Sequence, residues 1–96
     1  MRPVVTFVAA MALASCAAYE NAPVGGHYVD VPRADIATAL HIIRADPKLA
    51  RPNDTLREIW VQSPDEIHLI WDSKELDIIE RAHGRWHYVL TKITLG

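Results

Sequence analysis

The chain of 96 residues has only one cysteine, Cys16, and residues 17–96 have none. A domain formed by those residues therefore has no thiol for a disulfide, a zinc site or catalysis. The chain also lacks a block of one charge sign, since 10 basic residues stand against 12 acidic ones. Proteins that bind the phosphate backbone of a nucleic acid carry a basic patch, so the composition argues against a nucleic-acid partner.

A hydrophobic run long enough to span a bilayer, about 20 residues, is missing as well. Residues 4–14 are uncharged and rich in Val, Ala, Met, Leu and Phe, and they follow the positive start Met1-Arg2. A short apolar centre after a positive start, ending at small side chains, is typical of a secretory signal peptide. The alternative, a buried N-terminal helix, does not explain the Gly- and Pro-containing segment that follows.

The four residues Leu13-Ala14-Ser15-Cys16 at the end of this run resemble the lipobox of bacterial lipoproteins. The resemblance implies cleavage before Cys16, diacylglycerol on its thiol and a fatty acid on the new N-terminus. Several acyl chains, each contributing about 0.8 kcal/mol per buried CH2, hold a protein firmly where one chain does not. A conventional signal peptide cut near Ala17 or Ala18 is the alternative.

The resemblance also predicts where the protein resides. In enteric-type lipoproteins an aspartate after the lipidated cysteine signals inner-membrane retention, and here Ala17 stands in that place. We therefore expect a lipid-anchored protein of the bacterial cell envelope, on the periplasm-facing side of the outer membrane if the source is Gram-negative, with no cofactor besides the lipids on Cys16. The predicted organisation is a signal peptide over 1–15, a lipidated cysteine and flexible tether over 16–28, and a small domain over 29–96.

The spacing of apolar residues predicts one helix over residues 33–45. Ile36, Leu40 and Ile43 recur at intervals of four and three and form one apolar face. Asp46-Pro47 ends the pattern, because a residue before proline is displaced from the helical region.

Two β-hairpins are predicted after the helix. The first joins residues 55–62 to 67–72 through the turn Ser63-Pro64-Asp65-Glu66, in which proline presets the backbone. The second joins 76–81 to 85–94 through Ala82-His83-Gly84, a three-residue loop with glycine in the left-handed position.

The register of the second hairpin decides which residues face the core. The three-residue loop sets Ile78 opposite Tyr88 and Glu80 opposite Trp86. It gathers one apolar face of Leu76, Ile78, Trp86, Tyr88 and Leu90. A two-residue loop of His83-Gly84 is the alternative, and it scatters the apolar residues over both faces. The fold class predicted from these elements is α+β, with one N-terminal helix packed on a four-stranded antiparallel β-meander.

The residues whose side chains are able to act in catalysis or to bind a metal are not arranged in a recognisable catalytic or metal-binding motif. His83 and His87 are weak metal candidates, because one lies in a turn and the other in a strand rather than on one helix face. Glu80 and His87 are a candidate acid/base pair, yet the favoured register places them on opposite faces of the sheet. We therefore predict that the protein is not an enzyme.

Aromatic residues point instead to an interaction surface. Trp71 and Trp86 are expected in the core, whereas Trp60 shares with His68 and Ile70 what is expected to be the outer face of the sheet. Partly exposed aromatic residues are frequent anchors of protein interfaces. The predicted function is a non-catalytic binding or assembly lipoprotein whose partner is an envelope protein, a second copy or cell-wall material. The alternative is a small metal-binding protein or enzyme that uses surface histidines.

Overall fold

The structure, a computed structural model, describes residues 22–94. In chain order the elements are β1 (Val24–Gly26), α1 (Arg33–Ala45), β2 (Leu56–Ser63), β3 (Glu66–Trp71), β4 (Glu75–Ala82) and β5 (Arg85–Ile93). The predicted signal peptide, the lipobox and Cys16 lie outside the described residues.

Helix α1 has the predicted bounds, Arg33–Ala45. Pro32 precedes its first turn with extended backbone, where its missing N–H costs nothing, and Asp35 lies at the positive end of the helix dipole. The helix ends as Asp46, the residue before Pro47, turns to extended geometry. Its buried stripe comprises Ile36, Ala39, Leu40 and Ile43.

The sheet has the strand order β1-β2-β3-β4-β5. Strands β2 to β5 form the predicted antiparallel meander, which confirms an α+β fold. The expectation of four antiparallel strands is incomplete, because β1 adds a fifth strand parallel to β2. The connection from β1 to β2 contains α1, as a parallel pair requires a long crossover.

Strand β1 lies in the segment 16–28, which the sequence predicted to be a flexible tether. The amide of Ile59 donates to the carbonyl of Pro23 at 2.9 Å, and the amide of Tyr28 donates to Val61 at 3.2 Å. Backbone hydrogen bonds to β2 hold this strand in the sheet. Its three residues Val-Gly-Gly have no alternation of apolar and polar side chains from which a strand could be predicted.

The core lies between α1 and the sheet face that it covers. Strand residues alternate in burial, and those on the helix side are almost completely enclosed. They are Ile59, Val61, Ile67, Leu69, Trp71 and Ile79. The prediction that Trp71 is a core residue is confirmed, and Trp86 packs against the same cluster while partly buried.

The predicted register of the second hairpin is wrong. His83 and Gly84 alone form its loop, with φ of 56° and 75°, the geometry of a type I′ turn. Ile79 lies opposite Tyr88, and an irregularity between Ile78 and Ile79 then brings Leu90 opposite Ile78. This β-bulge is the physical reason for the error. Its extra residue shifts the alternation of side chains in β5, so that Tyr88 lies on the same face as Ile79 and Leu90 on the same face as Ile78.

Candidate functional site

The sheet face opposite α1, called here the outer face, has a row of partners that crosses all five strands. Pairing in successive strands aligns Gly25, Trp60, His68, Ile78 and Leu90, which we call the central row. Ile78 is buried, Trp60 and His68 are half-buried, and Leu90 is 39% exposed. The row is therefore an apolar strip with one imidazole near its middle.

Two further rows flank the central row. On one side lies the mixed row of Glu58, Ile70, Leu76 and Lys92, which is apolar in the middle and charged at both ends. On the other side lies the acidic row, Glu66 and Glu80 followed by His87. The structure thus brings the predicted residues Trp60, His68 and Ile70 together on one face.

Polar contacts hold the side chains of the central row in place. The Trp60 indole N–H donates to Gln62 Oε1 at 2.9 Å, and its ring meets that of His27 edge-on, with centroids 5.4 Å apart. The Nε2 atom of His68 lies 2.6 Å from Glu66 Oε2. Because its polar atom is already satisfied, Trp60 offers a partner mainly apolar ring surface.

The structure does not bring the other histidines into a shared site. His83 is exposed in the β4–β5 turn, and His87 is exposed with Nε2 at 3.2 Å from the carbonyl oxygen of Ala82. Within residues 22–94, no three His, Cys, Asp or Glu side chains are grouped so that they can hold a metal ion. The expectation that Glu80 and His87 lie on opposite faces is wrong, since they are direct cross-strand partners.

A second polar cluster, which the sequence did not reveal, is centred on Asp77 in the core. Asp77 is completely buried. Arg51 donates from Nε and Nη2 to its two carboxylate oxygens at 3.1 and 3.0 Å. Trp71 Nε1 donates to Oδ2 at 2.9 Å and Thr91 Oγ1 to Oδ1 at 2.6 Å, while Thr91 is in turn bonded to Tyr88.

Arg51 joins this cluster to the irregular segment between α1 and β2. It also pairs with Glu75, and the hydrogen bond to Asp77 raises the pKa of its guanidinium well above the ordinary range, although burial opposes this. Its guanidinium lies 5.5 Å from the ring centroid of Trp71, and that of Arg44 lies 5.2 Å from it. Arg51 adopts a φ of 52°, a strained conformation for a non-glycine residue.

The geometry of the Asp77 cluster is that of a structural anchor. Each carboxylate oxygen accepts two hydrogen bonds, so no acceptor position remains free to take a proton from a substrate. A buried carboxylate with this many donors is held in one orientation. Its role is to fasten the segment after α1 to the sheet.

One signal in the sequence was available for this cluster. Asp77 has the same strand parity as Ile79, so the two-residue loop would have placed it on the core side. The favoured register placed it on the solvent side instead, where a carboxylate needs no partner.

Comparison with protein-family models, with curated proteins and with solved structures gave no match for this chain. Among the residues that the structure describes, no helix is long and apolar enough to cross a membrane.

Proposed function

We propose that this protein is a small lipid-anchored component of the bacterial cell envelope, a non-catalytic binding module that holds a partner on the outer face of its sheet. The observation that carries the proposal is the central row. A tryptophan, an isoleucine and a leucine lie across a face that α1 does not cover.

The composition of this face supports binding rather than solvation. In an antiparallel sheet with one face in water, that face carries polar residues. Here apolar side chains form the middle of the central and mixed rows, and charged residues are confined to the ends and to the acidic row. An apolar centre with a polar rim is the usual composition of a protein interface.

The lipid anchor is the second part of the proposal. Cys16 lies eight residues before Val24, the first residue of β1. A chain of that length spans at most about 28 Å. Lipidation of Cys16 would therefore keep the domain close to the membrane surface, where its partner is another envelope component.

Fatty-acid labelling in a bacterial host tests the anchor. The wild-type chain should take up labelled palmitate and Cys16→Ser should not, because serine has no thiol to alkylate. Ser15→Ala is the matched control, since alanine is also a small residue and should leave labelling unchanged. Equal labelling of the wild type and Cys16→Ser, or no labelling of the wild type, refutes the anchor.

Photo-crosslinking of the full chain tests the binding face. A photoreactive residue at Ile70 samples the outer face, and the same residue at Thr38, exposed on α1, is the control. We expect a discrete adduct from position 70 that is lost when Trp60→Ala is added, and none from position 38. No adduct from position 70, or the same adducts from both positions, argues against the outer face as the binding surface.

A further inference from the structure

The arrangement of residues on the outer face points to a specific occupant. We infer that the partner is a second copy of this chain, bound face to face about a two-fold axis that runs parallel to the strands between β3 and β4. This inference rests on the proposed use of the outer face for binding. Most homodimers are symmetric in this way, so that one surface meets itself.

Such an axis has a simple effect on the rows. It places β2 of one copy over β5 of the other, and β3 over β4. Each row of one copy lies over the same row of the other copy. Two sheets stacked in this way lie about 10 Å apart, with strand directions within about 30° of each other. The residues that meet can therefore be read from the pairing within one sheet.

The apolar side chains then meet apolar side chains. In the central row Trp60 faces Leu90 of the second copy, and His68 faces Ile78. In the mixed row Ile70 faces Leu76. The two central pairings occur twice because of the symmetry, as does that of Ile70 with Leu76. The middle of the interface is therefore an apolar layer that contains two imidazoles, each with Nε2 at the Glu66 carboxylate of its own chain.

The charged ends of the mixed row also become complementary. Glu58 at its β2 end comes to lie over Lys92 at the β5 end of the second copy. Neither side chain forms an ion pair with any other residue in the range 22–94. The dimer thus gives two unpaired charges an opposite partner, twice per interface.

The other in-plane axis, perpendicular to the strands, gives a poorer match. It would place the mixed row over the acidic row, so that Ile70 meets Glu66 and Leu76 meets Glu80. Burying a carboxylate against an aliphatic side chain is costly. In the inferred dimer the acidic row lies at the rim, where Glu80 is exposed and water screens the like charges.

The size of the face places this dimer at the weak end of specific interfaces. The three rows supply about a dozen residues from each copy, against about 20 to 30 in a standard interface. Anchoring both copies to one membrane would raise their effective concentration, as linking does for any weak pair. The dimer is therefore expected on membranes more than in dilute solution.

Zero-length crosslinking of the full chain in bacterial membranes tests the inference. A carbodiimide joins a carboxylate to an amine only when the two are in contact. Within one chain Glu58 and Lys92 are three strand spacings apart, about 14 Å, so a bond between them must connect two copies. We expect a species of twice the chain mass in which peptide mapping finds Glu58 joined to Lys92.

Two sets of variants make this result specific. Lys92→Arg keeps the charge and removes the amine, so this crosslink should disappear while the dimer persists. Glu58→Lys or Lys92→Glu alone should raise the dimer dissociation constant about tenfold, because two attractive pairs become repulsive. The double exchange Glu58→Lys/Lys92→Glu should restore it. Circular dichroism of each variant checks that the fold is kept.

The outcomes separate this inference from the proposed function. Absence of the Glu58–Lys92 crosslink in the wild type, or failure of the double exchange to restore dimers, overturns the second copy as occupant. If a photoreactive residue at Ile70 then captures a different protein, the outer face is still a binding surface with another partner. If it captures nothing, both proposals fall. Both are supported when the Glu58–Lys92 crosslink is found and the residue at position 70 forms an adduct with a second copy of the chain.

Discussion

Arg51 and Asp77 form a two-point ion pair, with guanidinium Nε and Nη2 at 3.1 and 3.0 Å from the two carboxylate oxygens. The carboxylate has no solvent exposure, and the arginine side chain is only 13% exposed. The pair connects residues 26 positions apart in the chain. It therefore ties the irregular segment after α1 to the middle of the sheet.

Asp77→Ala should be strongly destabilising. It leaves the Arg51 charge partly buried and removes the acceptor of Trp71 Nε1 and Thr91 Oγ1. Breaking one side of a buried pair costs about 3 to 5 kcal/mol of unfolding free energy, which urea unfolding measures. Asp72→Ala, at an exposed position in the β3–β4 turn, is the control and should change stability by less than about 0.5 kcal/mol. A loss below about 1 kcal/mol for Asp77→Ala would contradict the anchoring role.

Gly26→Ala should detach β1 from the sheet. Gly26 has a φ of 116°, and an added Cβ would collide with the backbone of Val61, its partner in β2. Gly25→Ala is the matched control, because its Cβ would meet nothing closer than Glu58 Oε2 at 3.8 Å. Amide hydrogen exchange of Ile59, which donates to Pro23, should accelerate in the Gly26 variant alone. Unchanged exchange in that variant would show that β1 does not need this close approach.

Ser73→Ala should raise the pKa of Asp54. The Ser73 hydroxyl donates to Asp54 Oδ2 at 2.6 Å and is the main reason that the pKa of this carboxyl lies below its usual range. A lowered folded-state pKa contributes stability above the unfolded-state value, about 3.9 for aspartate, and this stability is lost as the pH falls further. The variant should therefore lose less stability than the wild type between pH 7 and pH 3.

A carboxyl-carbon NMR titration measures this shift directly. Ser63→Ala is the control, because the Ser63 hydroxyl accepts from the Asp65 amide and does not contact Asp54. An Asp54 pKa that is the same in Ser73→Ala and the wild type would remove Ser73 as the cause.

Trp60 and Trp71 should differ sharply when each is replaced by alanine. Trp71 is fully buried against α1 and the Asp77 cluster, and removal of a core aromatic costs about 3 to 5 kcal/mol. Trp60 is only half-buried on the outer face, and we expect its removal to cost about 1 kcal/mol. Chemical denaturation of both variants measures the difference. A comparable loss for Trp60→Ala would mean that this side chain serves the fold rather than a partner.

Local patterns were sufficient to predict much of this fold. The apolar spacing of Ile36, Leu40 and Ile43 and the Asp46-Pro47 stop gave α1 its correct bounds. The turn at Pro64 and the residue types of the strands located β2 and β3 within one residue at each end. Trp60, His68 and Ile70 were placed on a common face because strand residues alternate with a period of two.

Features that depend on distant partners were not predicted. Strand β1 exists because β2 offers its backbone, and its sequence Val-Gly-Gly carries no period. The β-bulge near Ile78 moves every later residue of β5 to the opposite face of the sheet, and no residue type in the neighbouring sequence predicts the bulge. Asp77 was predicted to be a solvent-facing charge because Arg51, the partner that allows its burial, lies 26 positions away in the sequence.

The position of β1 has a mechanical consequence. It is the first described element of the chain, and within residues 22–94 it pairs with β2 alone. A force applied through the N-terminal segment is therefore borne first by the buried Ala22 and by the few hydrogen bonds between β1 and β2. Under such a force β1 separates before the meander does, so that the chain lengthens while the core under α1 remains folded.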